Sequence, residues 1–265
     1  MTEKETAGGF WAPIARSIAL EGAKRLFPYK LVEGENELEK VKEGLKDNKG
    51  VLLLTNHFSK RDGILAIQAF LEHLWPLHPR TVMPIAQHQY KEWMGPLVAN
   101  WGIEMHPIPD LRWEKIKEIL KGLPKSQIRE KKIQMQAAFE AYLTSAREVL
   151  NNGGVVGLAA QARRDSRLLK PKAFPITTIL EEGVNSSDNV LIACIGISFA
   201  EETDYSDPKV RGYNPGSLFN AKLGKIYSLT EAMTEVGPLG VENIDLWVYR
   251  QLVDLVPTEY LGEAV

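Results

Sequence analysis

Val51-Leu52-Leu53-Leu54-Thr55-Asn56-His57-Phe58-Ser59-Lys60-Arg61-Asp62-Gly63 opens with four consecutive apolar residues and closes in a polar turn. Behind the turn-forming Asn48-Lys49-Gly50 the apolar run reads as a buried strand, and Ile64-Leu65-Ala66-Ile67-Gln68-Ala69-Phe70-Leu71 beyond it reads as a helix. His57 therefore falls in the turn at the strand's end, with Asp62 near the start of the helix. A neutral imidazole can take the proton of a hydroxyl as its oxygen attacks. A carboxylate held against the other ring nitrogen fixes the tautomer and stabilises the imidazolium that forms. The same spacing also suits Asp62 as a simple helix cap.

Asn56, His57, Ser59 and Asp62 match, position by position, the Asn-His-x-Ser-x-x-Asp motif of the glycerolipid acyltransferases, the family that includes lysophosphatidic acid acyltransferase. The lead-in Leu31-Val32-Glu33-Gly34-Glu35-Asn36, followed by a charged helix, is similar to the segment those enzymes carry ahead of the motif. The resemblance implies His57 as general base on an acceptor hydroxyl and Asp62 as its orienting partner. Asn56, Ser59, Lys60 and Arg61 would then lie around the substrate.

A second block, Lys91-Glu92-Trp93-Met94-Gly95-Pro96-Leu97 with Gly102-Ile103 following, also resembles the family. The family closes this block with an arginine for the acceptor phosphate, whereas this chain reads Glu104-Met105-His106-Pro107-Ile108 and its nearest arginine is Arg112. The third block, Phe-Pro-Glu-Gly-Thr-Arg-Ser in the family, corresponds to the residues after Val155-Val156-Gly157-Leu158. Aligned on Arg164, Gln161 stands where the glutamate belongs, Ala162 replaces the glycine and Arg163 takes the threonine's place. One negative charge is lost and one positive gained, which favours an anionic, phosphate-bearing acceptor. Gln161, Arg163 and Arg164 complete the expected substrate-binding set. With Arg167, Lys170 and Lys172 the arginines make a basic cluster, and a solvated surface loop is the plain alternative.

Thr177-Thr178-Ile179-Leu180 reads as a helix, Val190 to Phe199 as a further buried strand, and Val241 to Val256 as a closing helix. Residues 111–150 read as a charged helical insertion broken at Gly122-Leu123-Pro124, whose Lys125, Arg129, Lys131 and Lys132 suit acidic lipid or a carrier protein. Strands alternating with helices predict an α/β fold in which a mixed, largely parallel sheet is flanked by helices, with ligands at the carboxyl ends of strands. His57 and Arg164 each follow a strand directly and are expected to share one mouth.

The 265 residues, 44% hydrophobic and 25% charged, suffice for one buried core spanning residues 30–265. A formal net charge of −2 gives a nucleic-acid partner no electrostatic support. The one cysteine, Cys194, sits in an apolar strand and suits packing in a reducing compartment. The five histidines match no metal-ligand spacing, and no metal is expected. Neither a transmembrane run nor a signal-peptide layout is read. Residues 1–29 are expected to form an amphipathic membrane-contacting segment, with Trp11, Ile14, Ile18 and Leu26 on one side and Arg16, Lys24 and Arg25 as cations, or else a helix packed on the domain.

The resemblance implies an enzyme transferring a fatty acyl group from acyl-CoA or acyl-carrier protein to a hydroxyl of a lysophospholipid or related acceptor. No cofactor beyond that donor is expected. The expected location is cytoplasmic, peripheral on the inner face of the cell membrane. A catalytically idle lipid-binding relative, or an acyltransferase with a non-glycerolipid acceptor, is the rival. A serine hydrolase is disfavoured because no Gly-x-Ser-x-Gly elbow occurs.

Overall fold

A computed structural model of the protein describes residues 21, 25, 28–58, 69–74, 77, 79–86, 103–108, 113–161, 168, 175–180, 187–205, 207, 217–237 and 243–261. In chain order the elements are β1 (Tyr29–Glu33), α1 (Glu35–Lys46), β2 (Gly50–Thr55), β3 (Thr81–Ala86), β4 (Ile103–Ile108), α2 (Trp113–Leu120), α3 (Lys125–Asn151) and β5 (Val155–Ala159). They continue as α4 (Pro175–Leu180), β6 (Val190–Phe199), β7 (Phe219–Leu223), β8 (Tyr227–Ser228), α5 (Leu229–Val236) and α6 (Ile244–Val253). Residues 69–73 are helical, in line with the helix expected after Asp62.

Among the described residues the strands form one mixed sheet in the order β1-β7-β6-β2-β5-β3-β4, with β8 also on β6. The expected α/β class holds: β6, β2, β5, β3 and β4 run parallel, and the helices flank them. The sheet is mixed because β7 and β8 pair antiparallel with different halves of the ten-residue β6, and β1 joins β7 in parallel. Neither β1 nor β7 is anticipated in the sequence reading. The alternation in β7, with Phe219, Ala221 and Leu223 buried, is nevertheless legible once the gap after the Pro- and Gly-rich residues 208–216 is bridged.

All six residues of β2 are buried, as its unbroken apolar run demands, because it lies between β5 and β6 at the sheet's centre. Burying each of its leucines stabilises the fold by about 2 kcal/mol relative to exposure. Prolines locate the sheet's weak side. Pro107 stands in the edge strand β4, and Pro84 lies past the point where β3 stops pairing with β5, at Val82. Neither position asks proline for a ladder donor that it lacks.

The helical insertion breaks where expected. Gly122 takes φ +79, and Pro124 precedes the first residue of α3. Helix α3 packs over β2 to β5, and its direction is fixed at two points. Its carboxyl end meets the amino edge of the sheet, where Arg80, just before β3, bonds both Glu148 and Glu104. Six residues earlier, the Tyr142 ring lies 5.9 Å from the ring of His106, further along β4. The helix therefore runs against the strands. At 1.5 Å per residue its 27 residues span roughly 40 Å, about twice the length of β4. Its first half consequently projects past the carboxyl edge of the sheet. The buried residues of α3 begin only at Tyr142, and none from 125 to 141 is buried.

Of residues 1–27 only Glu21 and Arg25 are described, both helical, exposed and 3.9 Å apart as an i, i+4 ion pair. The remainder of the expected amphipathic segment lies outside the described residues. Among the described residues no helix is long and apolar enough to cross a membrane.

Candidate functional site

His57 lies two residues past Thr55, the last residue of β2, at the carboxyl edge of the parallel strands and is partly exposed. Three contacts fix the turn that carries it. The first comes from Asn56, which is 0% exposed. Its Nδ2 donates to the carbonyl of Ile197 and its Oδ1 accepts the Ile197 N–H, both at 2.8 Å. The β2–β6 ladder ends at Thr55 opposite Ile195, so the Asn56 side chain substitutes for the next stretch of main chain. The backbone is thereby released to turn away at His57 without orphaning Ile197.

The second contact reaches across the other neighbour. Strands β2 and β5 pair as far as Thr55 and Ala159, and Ala160 donates its N–H to Thr55 at 2.9 Å. The Gln161 side-chain oxygen then accepts the His57 main-chain N–H at 3.3 Å and the Tyr260 hydroxyl at 3.2 Å. The third is Phe58, fully buried, whose ring packs edge-on against Tyr205 and Tyr260 at 5.2 and 5.5 Å and beside Phe199 at 5.3 Å. His57 thus stands partly exposed just past a strand end, with its neighbours on either side anchored below it.

Asn56 and Gln161, both expected around the substrate, are thus engaged inside the protein. Gln161 is 6% exposed, and both lone pairs of its oxygen meet donors from the protein itself. Ser59, Lys60, Arg61, Asp62, Arg163 and Arg164 lie outside the described residues, as do Arg112 and the second block at 91–97. The segment that carries the two arginines is pinned on both sides of them. Before them stands Gln161. After them, Leu168 is buried, donates its N–H to the Tyr260 carbonyl at 2.8 Å and bridges to Leu261.

The helix that follows is clamped at both ends. Asp245, on the first turn of α6, accepts the N–H groups of Ile176 and Thr177 and the Thr177 hydroxyl at 2.7–3.1 Å. Arg147, on α3, donates to the carbonyls of Thr178 and Ile179. Burial pushes the Asp245 carboxyl above its ordinary range, partly offset by these hydrogen bonds. Tyr260, Leu261 and Asp245 are absent from the expected set. They lie in a carboxyl-terminal stretch with no motif, and only folding brings Tyr260 to Gln161, Leu261 to Leu168 and Asp245 to the start of α4.

Cys194, in the middle of β6, is buried and its thiol is pushed up to about 12 by that burial, so it is a packing residue at neutral pH. Among the described residues no group of three or more His, Cys, Asp or Glu could share a metal ion. A scan against protein-family models finds no match, and no curated protein matches the chain.

Proposed function

We propose that the chain is an O-acyltransferase of the lysophosphatidic acid acyltransferase type, acting peripherally on the inner face of the cell membrane. The observation that carries this reading is His57 itself, held at the carboxyl edge of the central strand by Asn56 and Phe58, with Gln161, two residues past the adjacent strand β5, bonded to its main chain. Ser59 and Asp62 complete the acyltransferase-like pattern in the sequence.

In the proposed reaction one ring nitrogen of His57 takes the proton of the acceptor hydroxyl as its oxygen attacks the thioester carbonyl of acyl-CoA or acyl-carrier protein. The tetrahedral intermediate collapses with cleavage of the C–S bond, the imidazolium returns its proton to the leaving thiolate, and an ester remains. Asp62 supports the imidazolium. Arg163 and Arg164 hold the acceptor phosphate, and the segment over residues 1–29 contacts the membrane.

The test is incubation with acyl-CoA and a panel of lysophospholipids, followed by mass analysis of the products. His57→Ala is expected to lower turnover by about a hundred- to ten-thousand-fold with the fold retained, and Asp62→Asn by nearly as much. Near-normal turnover by His57→Ala would sink the proposal. One observation favours the rival reading of an idle lipid binder: Gln161, in the family's glutamate position, commits its oxygen to His57 and Tyr260. Saturable lysolipid binding without product from any donor would select that reading.

A further inference from the structure

Helix α3 overhangs the edge of the sheet at which His57 opens, and the overhang has a distinct composition. From 113 to 134 the chain carries seven lysines and arginines against three glutamates. Lys125, Arg129 and Lys132 recur at i, i+4 and i+7 and form one exposed stripe. Beside them Ile133 is 59% exposed, and Ile119 on α2 is 41% exposed. Apolar side chains standing among exposed cations are costly in water but suit the headgroup boundary of an anionic bilayer. There the isoleucines enter the acyl region while the lysine stems reach back to the phosphates. An acidic protein would satisfy the cations but leave the isolated isoleucines unused.

We propose that the overhanging half of α3, together with α2, binds an anionic membrane surface and seats the His57 edge of the sheet against it. This is a second contact, separate from residues 1–29. Its orienting role rests on the acyl-transfer reading, in which acceptor and product are lipids, whereas the binding itself does not.

The test uses the full chain with vesicles of phosphatidylcholine alone and of equal parts phosphatidylcholine and phosphatidylglycerol. The wild type should sediment with the second, release at high salt and leave the first largely unbound. Lys125→Glu/Arg129→Glu/Lys132→Glu should bind the anionic vesicles at least about a hundredfold more weakly, since each lost surface cation is worth roughly fivefold and each added glutamate is repelled as well. Its circular dichroism should be unchanged. A second arm exploits the burial of Cys194: Ile133→Cys and Asp47→Cys are labelled singly with an environment-sensitive dye. Fluorescence should rise on anionic vesicles at 133 but not at 47, which lies at the opposite, amino edge of the sheet.

Equal binding by the triple variant, equal binding to uncharged vesicles, failure of the wild type to bind either, or a dye response at 47 rather than 133 would each overturn the proposal. Vesicle binding that behaves as expected while no lysolipid is acylated would remove the enzyme reading and leave this surface standing.

Discussion

The side-chain oxygen of Gln161 accepts the main-chain N–H of His57 at 3.3 Å, across two adjacent parallel strands and 104 residues of sequence. The same oxygen accepts the Tyr260 hydroxyl, so three distant segments meet at one atom. The histidine's turn is therefore supported from the residues just past β5 and from the carboxyl-terminal stretch as well as from its own chain neighbours.

Gln161→Leu removes that acceptor and strands one buried donor, the Tyr260 hydroxyl, at a cost of roughly 1–3 kcal/mol, and one partly buried donor, the His57 N–H, at a smaller cost. A fall in Tm of several degrees is expected, together with a loss of turnover larger than any change in substrate KM. Tyr260→Phe leaves the His57 bond in place and should cost only about 1 kcal/mol. Thermal melts and steady-state kinetics on the pair check this, and an equal penalty for both variants would show that the His57 bond contributes nothing.

In the sequence Arg164 falls between two pinned residues, Gln161, bonded to the His57 main chain, and Leu168, bridged to Leu261. Loss of a charged hydrogen-bond donor to phosphate is worth on the order of ten- to a hundredfold in affinity. Arg164→Ala should accordingly raise the apparent KM for a phosphate-bearing acceptor and leave that for the acyl donor nearly unchanged. An effect confined to the donor would assign this segment to the acyl-carrier side.

Asp245 offers a pH-dependent test of the clamp on α4. Its folded-state pKa is raised above the ordinary 3.8 by burial, so the folded protein holds this proton more tightly than the unfolded chain does. Its contribution is fully present below 3.8 and is lost as pH rises through the folded-state value. Asp245→Asn should remove that slope, so relative to the variant the wild type loses stability as pH rises from about 4. Asp245→Ala, which leaves three buried donors without an acceptor, should cost on the order of 3 kcal/mol at neutral pH. Denaturant titrations of all three proteins at several pH values decide the matter.

Gly50 and Gly122 contrast close approach with backbone freedom. A Cβ on Gly50 would lie 2.1 Å from the Leu150 carbonyl oxygen, main chain that cannot swing aside, so Gly50→Ala must push α3 off the amino end of β2. A loss of several kcal/mol or failure to fold is expected. At Gly122 nothing lies within 4 Å, and Gly122→Ala pays only for φ +79, about 1 kcal/mol. Comparable melting temperatures for the two variants would contradict this packing.

The sequence alone determined the parts that local pattern encodes. Unbroken apolar runs made β2 and β6 buried strands, Gly122 to Pro124 divided the helical insertion, and the spacing from Asn56 to Asp62 marked the turn that carries the histidine. Only the tertiary structure decided which strands are neighbours, because periodicity fixes an element's type and not its partner. That placement set β5 beside β2, joined the Gln161 side chain to His57 and Tyr260, and brought Asp245 to the start of α4. It also revealed that a 27-residue helix laid against strands of five or six residues must overhang the sheet, since a helix rises 1.5 Å per residue and a strand more than twice that.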